Sequence, residues 1–243
     1  MLQYDKRGVG KSTGTFVDTL PAMERDVAAS VRYLRTRHDI DPDRNALIGH
    51  SQGGVAVPAV AARDPRVAAV VDLLGPVGPR GELFLGILGA NLPSGGKSQD
   101  DTVRVAKAVG EWMEARSRKA EAATIAQARA AASTAYSSVG LSDDALAVLD
   151  NPVVLSMYEA APSETLASIR VPVLAVFGSK DDVIAPELSM AAATKALDAN
   201  RDALVVSVPG ASINCHPQRK SRRPGRLVET TWCRPWWRLS APG

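Results

Sequence analysis

Apolar residues recur at helical spacing over Leu20–His38, where Met23, Val27, Ala28, Val31 and Leu34 fall on one face behind Pro21. That pattern predicts a helix with one buried stripe. Asn45–Gly49, Val67–Leu74 and Val171–Gly178 read differently. They are short apolar runs, rich in β-branched residues and flanked by turn residues, and Ala203–Val208 repeats the pattern ahead of Pro209-Gly210. Such runs predict strands of a buried sheet. Gln52–Arg63 and Pro186–Leu197 predict helices between them, and Asp41-Pro42-Asp43 a turn. Met1–Asp5 also reads as a strand, leading into a Gly-rich loop at Lys6–Gly14. Strands alternating with helices predict an α/β fold: a mostly parallel sheet with helices on both faces.

The character changes between Arg80 and Ser168. Asp100–Thr134 is rich in Ala, Glu, Lys and Arg, a helical composition. Its place between two strand-bearing halves predicts an inserted helical cap. The expected organisation is therefore a core from 1–79 and 169–210, a cap or lid from 80–168, and a basic, irregular tail from 211–243. A chain of 243 residues accommodates such a core with an inserted subdomain. No apolar run is long enough to span a bilayer. No secretory signal opens the chain, which makes the cytoplasm the expected compartment.

Charge sharpens the view of the tail. The net charge is +3, but residues 211–243 hold six Arg and one Lys against a single Glu, so the body is mildly acidic. Basic tails suit anionic partners. This one has no recognisable nucleic-acid-binding module, so no nucleic-acid partner is expected. Both cysteines, Cys215 and Cys233, lie in the tail and form neither a disulfide framework nor a zinc-binding spacing.

The candidate chemistry sits at Gly49-His50-Ser51-Gln52-Gly53, where a short strand meets a small-residue helix. G-x-S-x-G in that context is a nucleophile elbow. The serine hydroxyl stands on a tight turn clear of the sheet, and Gly49 and Gly53 leave room where strand and helix cross. The N–H of Gln52, opening the helix, points where an oxyanion would develop. Asp181 and Asp182 follow the strand Pro172–Phe177, at the end of a parallel strand where α/β sheets place functional groups. The plain reading of either is a polar turn or a helix cap. His50 adjoins the nucleophile but alternates to the other face of its strand, so a local packing or hydrogen-bonding role is expected. His38 sits at a helix end, where a basic side chain suits the dipole.

These residues together resemble the α/β-hydrolase family, of the serine esterase and acyl hydrolase type. Tyr4-Asp5-Lys6-Arg7-Gly8-Val9-Gly10 is similar to its strand and loop upstream of the elbow. Gly49–Gly54 is similar to the elbow, and Pro172–Asp181 to the strand and G-x-x-D segment bearing the acid. The resemblance covers residues 1–210, weakly through the cap. It implies Ser51 as nucleophile, Asp181 rather than Asp182 as acid, a small ester or amide as substrate, and no metal or organic cofactor. Carboxylic esters lead; a peptidase or amidase of the same fold is the alternative. Oligomeric state is left open. Gly8-Val9-Gly10-Lys11-Ser12 also imitates a phosphate-binding loop, but Asp5 stands where that loop needs glycine.

Two departures bear on activity. The family has strands and a Gly-rich oxyanion loop ahead of its Y-D-K-R-G segment, whereas this chain begins at Met1 within the corresponding region. The second oxyanion donor and the cover of one sheet edge are therefore expected to be lacking. The family's histidine follows a P-G-A-x-H pattern. Here Val208-Pro209-Gly210-Ala211-Ser212 is followed by Ile213, and the next histidine is His216. Either a reading frame has shifted near Ser212, leaving a catalytically impaired remnant, or His216 swings in from a divergent tail as the base.

Overall fold

The computed structural model describes residues 1–82, 98–181 and 183–213. Its element order is α1 (Leu20–Arg35), β1 (Ala46–His50), α2 (Gln52–Ala61), β2 (Ala69–Leu73), α3 (Gln99–Ser117), α4 (Ala122–Ser138), α5 (Asp143–Ala147), α6 (Pro152–Glu159), α7 (Pro162–Ser168), β3 (Val173–Gly178), α8 (Pro186–Ala196) and β4 (Ala203–Val208). The four strands form one parallel sheet in the order β1-β2-β3-β4. A parallel sheet flanked by helices is the architecture that the alternating pattern implies.

Side-chain alternation sorts the strands into two faces. Register aligns Leu47, Val70, Val173 and Ala203 in one row. On that face Val70, Asp72, Val173, Ala175 and Phe177 are all buried. They share a core with Val27 and Val31 of α1, Val57 and Val60 of α2, Leu166 of α7 and Ala193 of α8. The alternate row runs through Ile48, Val71, Leu174 and Leu204. There Ile48 is 60% and Leu204 58% exposed. Cover of the two faces is thus unequal among the described residues.

The helices between β2 and β3 build a second core. Val105, Val109, Trp112 and Met113 of α3 pack on Ala132, Ala135 and Tyr136 of α4, with Leu146, Leu149 and Tyr158 closing the cluster. Caps define these helices. Ser98 accepts from the Asp101 N–H while the Asp101 carboxylate accepts from the Ser98 N–H, a capping box that starts α3. Ser142 and Asn151 cap α5 and α6 by accepting from the N–H groups of Ala145 and Val153. The guanidinium groups of Arg116 and Arg129 lie 5.2 and 5.6 Å from the centroid of the Trp112 ring. This unit docks on the sheet layer through Leu20, Val55 and Ala56, packed with Met157 and Ala160. The buried Ser156 hydroxyl accepts from the Leu20 N–H across the same seam. Leu166 joins the core of the sheet, although it falls within the span expected of the cap.

One expected strand does not form. Met1–Asp5 is irregular and exposed. An extended segment is stabilised by pairing, and among the described residues this one pairs with no neighbour. His38 is also corrected: α1 ends at Arg35, so His38 stands in the turn beyond it.

Candidate active site

Ser51 occupies the step between β1 and α2 with φ 54° and ψ −119°. A non-glycine residue there is strained and persists only where its surroundings hold it. Two backbone bonds do so: the Ser51 N–H donates to Leu73 C=O at 2.9 Å, and the Gly54 N–H donates to Ser51 C=O at 2.8 Å. The crossing of strand and helix is close enough that a Cβ on Gly49 would stand 2.1 Å from the Gly53 carbonyl oxygen. Gly53 itself has open space at its Cβ position, so the expectation that both glycines serve the crossing is corrected. The second tight position is Gly54, whose Cβ would stand 2.1 Å from Asp72 Oδ1. Gln52 is the first residue of α2, and its side-chain amide donates to Asp18 C=O at 2.7 Å.

Asp181 follows β3 by three residues. Its Oδ1 accepts from the N–H groups of Val183 and Ile184, at 2.9 and 3.1 Å. Its Oδ2 is buried and has no hydrogen-bond partner among the described residues. The first oxygen thus does the turn-capping that the plain reading assigned. The second is left over. Because the strands are parallel, Ser51 and Asp181 leave the same edge of the sheet. They emerge from β1 and β3, two strand spacings or about 9–10 Å apart.

The chain after β4 crosses that gap. Lys180 N–H donates to Ala211 C=O at 2.8 Å, beside the end of β3. Two residues later, Ile213 C=O lies 2.7 Å from His50 Nε2, beside Ser51 at the end of β1. A carbonyl only accepts, so His50 Nε2 carries the proton. Ile213 is 8% exposed. An aliphatic side chain therefore stands in the segment that runs from the strand of Asp181 to the strand of Ser51.

Asp72 lies beneath this edge, opposite Gly49 in the register of β1 and β2. It is 1% exposed. Its Oδ1 accepts from the Gly75 N–H at 2.9 Å, and its Oδ2 has no hydrogen-bond partner among the described residues. Burial pushes the carboxyl up to about 7, against a smaller downward pull from the Gly75 hydrogen bond. The sequence reading missed Asp72 by treating Val67–Leu74 as a plain apolar strand. The available signal was a lone carboxylate inside such a run.

A family model described as Serine aminopeptidase, S33, matches residues 1–211. The chain belongs to that family of α/β-hydrolases. A thiohydrolase of Arthrinium phaeospermum is 40% identical over 72 residues, which cover 29% of this chain and 24% of that protein. An esterase of Pyrococcus furiosus shares the fold with TM-score 0.51 at 12% identity, covering 82% of this chain and 58% of that one. The chain therefore spans less than two thirds of either relative's length.

Within this α/β-hydrolase, the expected base His216 lies outside the described residues, as does Asp182, the carboxylate set aside in favour of Asp181. The loop that imitates a phosphate cradle is occupied by its own carboxylate. Asp5 Oδ2 accepts from the Lys11 N–H at 2.9 Å, and a Cβ on Gly10 would stand 2.3 Å from the same oxygen. Among the described residues no group of His, Cys, Asp and Glu is arranged to hold a metal ion, and no helix is long and apolar enough to cross a membrane.

Proposed function

We propose that this α/β-hydrolase acts on small carboxylic esters through Ser51, with Asp181 as the acid and the Gln52 N–H as an oxyanion donor. The observation that carries this reading is the strained Ser51, held at φ 54° on the strand-to-helix turn. Ser51 Oγ attacks the acyl carbon and gives its proton to a base. The tetrahedral intermediate then collapses, the leaving alcohol takes that proton, and water later cleaves the acyl-enzyme by the same route. The unpartnered Oδ2 of Asp181 suits an acid awaiting an imidazole N–H. The thiohydrolase relative supports acyl transfer to water as the reaction class. Helices α3–α6 would act as the cap that shapes acyl selectivity and excludes water.

A second reading is favoured by one observation. Ile213 lies in the segment joining the acid's strand to the nucleophile's, and it cannot accept a proton. On this reading the chain is an impaired hydrolase with a nucleophile and an acid but no base. A fluorophosphonate probe and p-nitrophenyl butyrate hydrolysis separate the two. The probe should modify Ser51, and Ser51→Ala should abolish modification; labelling elsewhere with Ser51 untouched overturns the assignment. Ile213→His should raise ester turnover by about a hundredfold or more, the usual worth of a positioned base. Robust wild-type turnover that His216→Ala removes would show instead that the tail supplies the base.

A further inference from the structure

Asp72 is the one carboxyl among the described residues buried as deeply as the hydrophobic core. Its setting is made of glycine. A Cβ on Gly54, in the first turn of α2, would stand 2.1 Å from its Oδ1, and a Cβ on Gly75 2.2 Å from the same oxygen. Neither neighbour could carry a side chain while the carboxyl stays in place.

The cradle connects directly to both backbone bonds that hold Ser51. Asp72 Oδ1 accepts from Gly75 N–H and so fixes the turn Leu73–Gly75, in which Leu74 is itself held at φ 57°. Leu73 C=O, in that turn, accepts from the Ser51 N–H. Gly54, in van der Waals contact above the carboxyl, donates its N–H to Ser51 C=O. A change in the size, charge or hydrogen bonding of Asp72 acts on Ser51 from two sides.

The surroundings also decide its protonation. A carboxylate needs donors for both oxygens when it is taken out of water. Asp72 has one, Gly75, and its Oδ2 has none. Among the described residues no cation compensates. The facing elements α2 (Gln52–Ala61) and β3 (Val173–Gly178) carry no titratable side chain, and neither does the turn Leu74–Pro79. In β1 the sole titratable residue, His50, alternates to the opposite face from Gly49, the register partner of Asp72.

We propose that Asp72 is a positioning residue of the elbow, which holds Ser51 in reactive geometry as a neutral acid and releases it on ionising. The inference rests on Ser51 being the nucleophile. The carboxyl's shift up to about 7 places the change within the range where enzymes work. The sign follows from linkage. Between the unfolded value near 4 and the folded value near 7, the native chain keeps a proton that the unfolded chain has lost. Stability therefore falls as pH rises through that window and levels off above it.

The test follows the amide resonances of Ser51 and Gly75 in the full chain by NMR from pH 5 to 9, in the wild type and in Asp72→Asn. Asparagine keeps the shape and the acceptor for Gly75 but cannot ionise. In the wild type both amides should shift with one midpoint near 7, and in Asp72→Asn both should be flat. Gly75 shifting alone, neither amide shifting, or both shifting in Asp72→Asn each overturns the proposal. The wild-type titration decides even if the variant folds poorly. Fluorophosphonate labelling of Ser51 supplies the second readout. The ratio of wild-type to Asp72→Asn rates should be near one at pH 5 and fall about tenfold by pH 8, one pH unit above the midpoint. A constant ratio overturns the link to reactivity. Coupled amide shifts without labelling in either protein would sustain the positioning and sink the serine-hydrolase reading.

Discussion

The two faces of the sheet are built from the same kinds of residue and have different fates. Phe177, Ala175 and Val173 on one face of β3 are sealed under helices. Ile48 and Leu204 on the other face stay more than half exposed. Both rows are apolar, so hydrophobicity does not tell them apart. What separates them is the helices that share the core of the first row. The site draws on the sealed side: Gly54 and Asp72 meet there, beneath the strained serine. Substitutions should therefore be severe on one face and nearly silent on the other.

The largest effect is expected at Phe177, which is fully buried. Phe177→Ala should destabilise the protein by about 3–5 kcal/mol, through lost transfer energy and a residual cavity. Chemical denaturation checks this; a loss near zero would mean that the sealed face is not the true core. Gly49→Ala comes next. Its new Cβ meets backbone, the Gly53 carbonyl, which cannot rotate away. A loss of about 1–3 kcal/mol is expected, with slower probe labelling of Ser51. Stability lost with labelling unchanged would separate the crossing from the elbow's reactivity. The smallest change belongs to Ile48→Lys on the open face. Stability should move by no more than about 0.5 kcal/mol. Concentration-dependent association, measured by sedimentation, should fall as the exposed apolar edge gains a charge. A loss comparable to that of Phe177→Ala would show that the open face is covered in solution.

The limits of reading the sequence follow from the same contrast. The strand-to-helix turn at Ser51 was legible because its geometry is local: Gly49, Ser51 and the helix after them fix one turn. The parallel order was legible because strands and helices alternate. Nothing local distinguishes Ile48 from Leu47 as the exposed neighbour, since that depends on where helices pack. Met1–Asp5 has strand-like residues but no described partner strand, and a strand is a pairing rather than a composition. Gly53 and Gly54 are equivalent in sequence; only the approach of Asp72 shows that Gly54 is the confined one. Asp72 was hidden for a related reason. Its importance comes from Gly75, three residues on, together with Gly54 on another element, and no spacing rule joins Gly54 to it.

Ser51 stands at the end of β1, which with β4 is one of the two outer strands of the sheet among the described residues. Among the described residues β1 is held edge-on by the β2 ladder alone, through five registered residues. Cooperative units of a protein open with unequal ease, and an outer strand opens before a central one. Among the described residues, the durability of the Ser51 turn is therefore set by one ladder and the helix above it. Heat inactivation should run ahead of global melting, and amide exchange at β1 should be faster than at β3. The lifetime of the Ser51 turn and the lifetime of the fold become two separate clocks in one molecule.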